Sequence, residues 1–470
     1  MAPAQRTLAV VVLAAGEGKR FKSATPKVLH ELCGRPLVRY VLDAVAPLGA
    51  RATVVVVGRG ADAVQGAIEA AFPKAPVFAL QKQQLGTADA ARVADEALGS
   101  FDGDVLILPG DSPLITTKTL RALLMQHRKA KATATLLSAT LEDATGYGRI
   151  VRDADGELER IVEERDASPA ERAIREANSS TYVFDRRALQ TALTKVDRNN
   201  AQGEFYLTDV IEVLREKGER VIAVSAAGPE EVLGVNDRAQ LAEMASLLRA
   251  RINRAHMADG VSIVDPAQTY IEPGVKIGRD TVIHPVTVLT GQTVIGAGCE
   301  IGPNVRMRDS RVENGARVLF AVVDEARIGQ EASVGPFAYL RPGARLARKA
   351  KVGTFVEVKN SQIGEGSKVP HLSYIGDATI GSDVNIGAAS VTLNYDSETK
   401  TKSRTQIGDG AKIGGDTMMV APVKIGKGAV TGASSVVTRD VPPDTVVYGA
   451  PAKAKRKRKP PVEKVKGEHA

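Results

Sequence analysis

Two textures of hydrophobic and polar positions divide the chain. Through residue 238, short runs of Val, Leu and Ile alternate with longer stretches whose apolar residues recur at helical spacing. LAVVVLAAG, ATVVVVG, PVFALQ and DVLILPGD read as strands, whereas RPLVRYVLDAVAPLG and TADAARVADEALGS read as helices. Strand and helix in alternation predict an α/β domain with a mainly parallel sheet covered on both faces, Rossmann-like in layout, over 1–238. Residues 239–260 read as a linker helix, with Leu241, Met244, Leu247, Leu248 and Ile252 at spacings of three and four.

From 261 the period changes. Ile-Gly or Val-Gly recurs from Ile277 to Ile425, mostly at gaps of 6, 12 or 18, with exceptions of 27, 11, 5 and 21. A six-residue period predicts a parallel β-helix over 261–452, left-handed and built of hexapeptide repeats. Each flat side of a coil takes about one hexad, the branched aliphatic points inward, and small residues make the corner. The exceptional gaps are expected to be loops or slipped turns. A β-sandwich would give strand spacings that do not lock to six.

Composition adds detail. Gly is abundant at 44 residues while aromatics are 4% with no Trp, which suits a tight repetitive backbone. The net charge is +8, but 453–468 holds eight Lys/Arg against two Glu, so the remaining body carries only +2. That balance disfavours a nucleic-acid binder. Residues 453–470 read as a basic, disordered, solvated tail. Cys33 and Cys299 lie far apart in different domains, which argues against a disulfide framework. The apolar run Leu8–Ala15 is too short to span a bilayer, so a soluble cytoplasmic enzyme without membrane contact is expected.

In the front domain, Leu13-Ala14-Ala15-Gly16-Glu17-Gly18-Lys19-Arg20 follows a strand, and Lys27 comes soon after. The glycines let backbone N–H groups approach a phosphate chain, and Arg20 and Lys27 add positive charge. The third glycine of a dinucleotide fingerprint is missing, which argues against a nicotinamide site. Gly110-Asp111 ends the DVLILPGD strand, the edge where open α/β sheets bind ligands, so Asp111 is a candidate Mg²⁺ ligand or else a helix N-cap. Gln81 can pair with a base edge through both donor and acceptor.

The stretch LAAGEGKRFKSATPKVLHELCGRPLVRYVL resembles the opening signature of sugar-phosphate nucleotidyltransferases. The resemblance implies a uridine loop at Gln81, Gln84, Gly86 and Thr87. It also implies sugar contacts at Gly148, Glu163 and Asn178, with Asn236 as second Mg²⁺ ligand beside Asp111. Attack of a sugar 1-phosphate on UTP would then release pyrophosphate.

The stretch from Phe337 to Ser397 resembles the acetyltransferase site of the bifunctional N-acetylglucosamine-1-phosphate uridyltransferase / glucosamine-1-phosphate acetyltransferase family. What that implies is specific. Arg341 and Lys359 would hold the sugar phosphate, with Tyr374 and Asn385 completing the pocket. His371 would be the catalytic base on the glucosamine amine, a task suited to a near-neutral imidazole. Ala388, Asn394, Tyr395 and Ala433 would meet acetyl-CoA. Two departures stand out: Gly415 replaces a Ser of some relatives, and Tyr448-Gly449-Ala450-Pro451 stands where relatives offer an Arg. Lys453, Lys455 or Arg456 could supply the missing charge. The resemblance further implies a homotrimer. It implies acetylation of glucosamine 1-phosphate, then coupling of N-acetylglucosamine 1-phosphate to UTP, feeding peptidoglycan and lipid A. The competing reading is a single-activity nucleotidyltransferase with a scaffold β-helix, which would have no use for the Arg341, Lys359, His371, Tyr374 and Asn385 set.

Overall fold

A computed structural model describes residues 6–457. The chain forms two compact units that divide at Leu248/Arg249. The first holds a nine-stranded sheet built from β1 (Leu8–Ala14), β2 (Ala52–Val57), β3 (Val77–Leu80), β4 (Asp104–Pro109), β5 (Ala134–Thr140), β6 (Arg149–Arg152), β7 (Leu158–Val162), β8 (Glu176–Asp185) and β9 (Val221–Ser225). The order is β9-β5-β8-β4-β1-β2-β3, with the β6–β7 hairpin against β8. Helices α1 (Leu37–Val45), α2 (Ala61–Glu69), α3 (Thr87–Ala97), α4 (Thr117–Ala130), α5 (Pro169–Arg172), α6 (Arg186–Leu193) and α7 (Asp209–Glu216) connect the strands. Both faces of the sheet are covered. In β1, Ala9 and Val11 join one hydrophobic cluster while Leu8, Val10 and Val12 join another. A strand with apolar residues on both sides belongs in a doubly covered sheet.

β1 runs parallel to β2 and β4, and β9 runs parallel to β5. β8 is the departure from a parallel sheet, antiparallel to both β4 and β5. Its register slips between Asn178 and Tyr182, where Ser180 is left-handed at φ 56°. Because β8 is reversed, its first residues lie at the same edge as the carboxyl ends of β1 and β4.

α8 (Arg238–Ala258) includes the division between the units. Met244 and Leu248 are buried, but Leu247, expected on the same stripe, is exposed.

The second unit is a parallel β-helix of three strand ladders, with 12, 10 and 9 strands among the described residues. One ladder stacks Ile277, Ile295, Val312, Ile328, Leu346, Ile363, Ile380, Ile407 and Ile425 in register. Burying each such side chain contributes about 1.5–3 kcal/mol, and one coil covers the next. The irregular gaps now have causes. Ile301 pairs with Val318 and Val318 with Val334, so these coils are a residue or two short of eighteen, and Val312 and Val318 lack a following Gly. Ile380 pairs with Ile407 because this coil carries an insertion, the hairpin Tyr395–Asp396 with Thr401–Lys402.

The reading of the C-terminal tail needs correction. Lys453–Lys457 is a strand, antiparallel to Thr445–Tyr448, which caps the end of a ladder. Sheet hydrogen bonding there outweighs the charge that argued for disorder. Residues 458–470 lie outside the described residues. Cys33 and Cys299 form no disulfide, and no described helix is long and apolar enough to cross a membrane.

Candidate active sites

The carboxyl edge of the front sheet gathers the first set. Leu13 and Ala14 end β1, followed by Ala15 and the exposed Gly16. Gly110 N–H donates to Leu13 O at 2.8 Å, which brings the ends of β1 and β4 together. Lys27 Nζ donates to the Asp111 carboxylate and, at 3.4 Å, to Asn236 Oδ1. The Lys27 and Asp111 side chains are only 14% and 13% exposed, so the pair is poorly screened. Gly18 is left-handed at φ 62°, and a Cβ there would come within 2.7 Å of Lys27 Cβ. Glycine at this position lets the loop fold over Lys27. Arg20 is exposed on the turn Lys19–Phe21 and forms no ion pair among the described residues.

The second group surrounds Gln81. Its Nε2 donates to Gly86 O at 3.1 Å and to Asp89 Oδ2 at 2.8 Å, leaving its carbonyl oxygen for a base. Gly86 sits at φ 121°, where a Cβ would be 2.3 Å from Phe205 O, so only glycine fits. Thr87 Oγ1 accepts from Leu207 N–H at 2.9 Å and so has a structural partner already. Gln84 Nε2 lies against Gly58, whose Cβ would meet both it and Ala15 O at 2.7 Å.

The third group is Gly148, Glu163 and Asn178. A Cβ on Gly148 would lie 3.5 Å from Glu163 Oε2 and 3.6 Å from Asn178 Cβ. Asn178 N–H donates to Gly148 O at 2.8 Å, and Asn178 Nδ2 donates to Tyr182 OH at 2.7 Å. Burial raises the Glu163 pKa above the usual carboxylate range, against a hydrogen bond donated by Thr208 Oγ1 at 3.2 Å. Thr208 and Tyr147, whose hydroxyl accepts from Gly234 N–H at 3.2 Å, also belong to this edge. Thr208 stands in no motif that sequence reading could single out, whereas Tyr147 is the neighbour of Gly148 in GYGRI.

In the β-helix, backbone hydrogen bonds stack a column of assigned residues. Ala389 N–H donates to His371 O at 3.3 Å, Asp416 N–H to Ala388 O at 2.6 Å, and Ser434 N–H to Gly415 O at 2.9 Å. His371, Ala388, Gly415 and Ala433 therefore occupy successive coils at one position. The exposed His371 ends the strand Lys368–His371, and its ring makes no hydrogen bond to any described residue. The left-handed corner at Leu372, φ 49°, separates it from the strand Tyr374–Gly376.

On that next face, Arg341 and Lys359 follow one another across Leu340↔Val358, and Lys359 is level with Gly376. Arg341 Nη1 donates to Glu357 Oε1 at 2.8 Å, and Lys359 Nζ reaches Asp377 Oδ2 at 3.4 Å. Tyr374 lies over Gly376, where a Cβ would be 2.4 Å from the phenol oxygen. Asn394 is buried at the base of the insertion and exposed Tyr395 opens its hairpin. Asn385 shares the ladder of His371 and stands apart from Lys359 and Tyr374. It pairs with Lys368 at the start of its strand, on a different ladder from Lys359 and Tyr374.

Residues 9–229 match the nucleotidyl transferase family model, and 267–309 with 404–439 match the bacterial transferase hexapeptide model. The bifunctional protein GlmU of Brevibacillus brevis is 50% identical, covering 92% of each chain. That of Streptomyces coelicolor is 52% identical over 94% of this chain and 91% of its own. The chain belongs to the GlmU family. As a GlmU protein it is a bifunctional enzyme, a uridyltransferase and an acetyltransferase that together yield UDP-N-acetylglucosamine. Its β-helix is of the left-handed hexapeptide type. The GlmU of Halalkalibacterium halodurans is also similar, at 48% identity over 93% of this chain and 94% of its own.

Proposed function

We propose that the carboxyl edge of the front sheet performs uridylyl transfer and the His371 column performs acetyl transfer. The observation carrying this reading is the separation of two chemistries: Lys27, Asp111 and Asn236 converge in the first unit, His371 heads a column in the second.

In uridylyl transfer, a phosphate oxygen of N-acetylglucosamine 1-phosphate attacks the α-phosphorus of UTP and pyrophosphate leaves. The attacking oxygen is already anionic, so positioning and charge neutralisation suffice. Lys27 and Arg20 stabilise the phosphates, Gln81 and Gly86 hold the uracil, and Gly148, Glu163 and Asn178 hold the sugar. Asp111 and Asn236 fit Mg²⁺: both present oxygen to the Lys27 ammonium, and two protein oxygens suit an ion that keeps water and phosphate ligands. When bound there, Mg²⁺ would neutralise phosphate charge.

In acetyl transfer, the amine of glucosamine 1-phosphate attacks the acetyl-CoA thioester. His371 takes the amine proton and the CoA thiolate leaves. Arg341 and Lys359 bind the sugar phosphate, Tyr374 and Asn385 the sugar. Ala388, Asn394, Tyr395, Gly415 and Ala433 line the cofactor path. Lys453, Lys455 and Arg456 supply cations for its phosphates; Lys455 Nζ lies 5.2 Å from the Tyr448 ring centroid.

A homotrimer, with each acetyl site shared between chains, fits two observations. Asn385 and Lys359 lie on different ladders, so one chain does not enclose a complete pocket. The left-handed corner also carries an exposed apolar row, Phe337 at 55%, Phe355 at 58% and Leu372 at 60%, with the phenyl centroids 5.4 Å apart. Work in the cytoplasm fits a chain whose substrates are all water-soluble.

The test is a pair of variants assayed for both reactions. His371→Ala should lose acetyl transfer by about 10²–10⁴-fold, the worth of a general base, and keep uridylyl transfer. Asp111→Ala should do the reverse. Loss of both activities from either variant in folded protein would refute the two-site assignment.

A further inference from the structure

Asp377 is a carboxylate that the assignments above leave without a role. It follows the strand Tyr374–Gly376 in a left-handed conformation, φ 48°, and is only 8% exposed. Its Oδ1 accepts from Asn360 Nδ2 at 2.6 Å. Its Oδ2 accepts from Asn394 Nδ2 and, at 3.4 Å, from Lys359 Nζ. The backbone is equally engaged: Asp377 N–H donates to Lys359 O at 3.0 Å, and Thr405 N–H donates to Asp377 O at 3.2 Å. Asn394 and Thr405 bracket the insertion that carries the Tyr395 hairpin. Burial opposes ionisation, but donation from Asn360 and Asn394 and the Lys359 charge outweigh it, holding the carboxyl below its usual range.

We propose that Asp377 is a positioning residue of acetyl transfer: it holds Lys359, Asn394 and both ends of the insertion in one arrangement. The sugar phosphate and the thioester are thereby presented together. This rests on the acetyl-site reading above. The chemistry demands a carboxylate. Three donors from three places in the chain meet its two oxygens, and an amide in its place would turn an NH₂ against at least one of them.

The experiment is steady-state kinetics of the full chain carrying Asp377→Asn, Lys359→Met and both. Asp377→Asn should raise KM for glucosamine 1-phosphate and for acetyl-CoA by about tenfold, the scale of one lost charge-assisted hydrogen bond, with a smaller fall in kcat. Uridylyl transfer should not change. The double variant should bind glucosamine 1-phosphate no more weakly than Lys359→Met alone, because Asp377 acts on that substrate through Lys359. Unchanged KM values, additive effects in the double variant, or a loss confined to kcat together with a lowered melting midpoint would each overturn the proposal. His371→Ala separates the two levels. If it retains acetyl transfer, the acetyl-site reading falls; if it is inactive while Asp377→Asn behaves as wild type, only the role of Asp377 falls.

Discussion

Asp209 gives the front unit a pH dependence whose sign and size follow from its surroundings. It opens α7, where the helix N-terminus favours a negative charge. Burial works the other way and dominates. With Glu212, Glu163, Asp197 and Asp166 nearby, it pushes the Asp209 pKa up to about 7. An unfolded Asp titrates near 3.9. The folded chain therefore holds this proton more tightly than the unfolded one. Its contribution to stability is full below about pH 4, falls as pH rises, and is lost above about pH 7. Three pH units at about 1.4 kcal/mol each set an upper limit of about 4 kcal/mol. Solvent reaches this partly buried side chain, which reduces the effect to about 2 kcal/mol. Asp209→Asn removes the titration while keeping the shape. For a unit of this size the variant should melt about 4–8 °C above wild type at pH 8 and level with it near pH 4. Melting curves followed by near-UV circular dichroism at several pH values measure the difference. A difference that stays constant from pH 4 to pH 8 would refute the assignment of a buried, late-titrating carboxyl.

Two further outcomes concern the acetyl-CoA path. Gly415→Ser should leave acetyl transfer within about twofold of wild type: its backbone is not left-handed, and the nearest atom to a new Cβ is Ala388 O at 3.4 Å, ordinary contact. A tenfold loss would show that the backbone, not the missing hydroxyl, matters there. Lys455→Ala with Arg456→Ala should raise KM for acetyl-CoA about tenfold, through lost phosphate contacts, and leave turnover of acetyl-pantetheine unchanged. Equal effects on both thioesters would place the cofactor phosphates elsewhere.

What could be read from the sequence was whatever a local pattern carries. β1, β2 and β4 are continuous Val, Leu and Ile runs because both faces of each are buried. The hexad period is equally local, and its Ile and Val positions form the stacked core. What escaped depends on distant partners. β8 contains Asn178-Ser179-Ser180-Thr181, polar residues that disguise a strand held by β4 and β5 on either side. The strand Lys453–Lys457 is charged at every position but Ala454, and pairing with Thr445–Tyr448 orders it. Thr208 carries no motif and Asp377 is one unmarked residue of the stretch Phe337–Ser397; what sets them apart is that they reach Glu163, Lys359 and Asn394 across the fold.

The β-helix also accounts for the spacing of the residues proposed for acetyl transfer. A column persists only if successive residues are one coil apart, so functional spacings must copy coil lengths. Lys359 follows Arg341 by one coil, as Val358 follows Leu340. From His371 to Ala388, Gly415 and Ala433, each step likewise crosses one coil, and the long step to Gly415 contains the insertion. Along a strand, successive side chains point alternately in and out, so a one-residue slip would exchange core and site positions. A coil can therefore shorten or grow only where the column does not run. The inserted hairpin meets that condition: it leaves at Asn394 and returns by Thr405, and the ladder resumes in register at Thr405–Ile407. Asp377 bonds Asn394 at one end of that excursion and Thr405 at the other, which ties down the coil that carries the insertion.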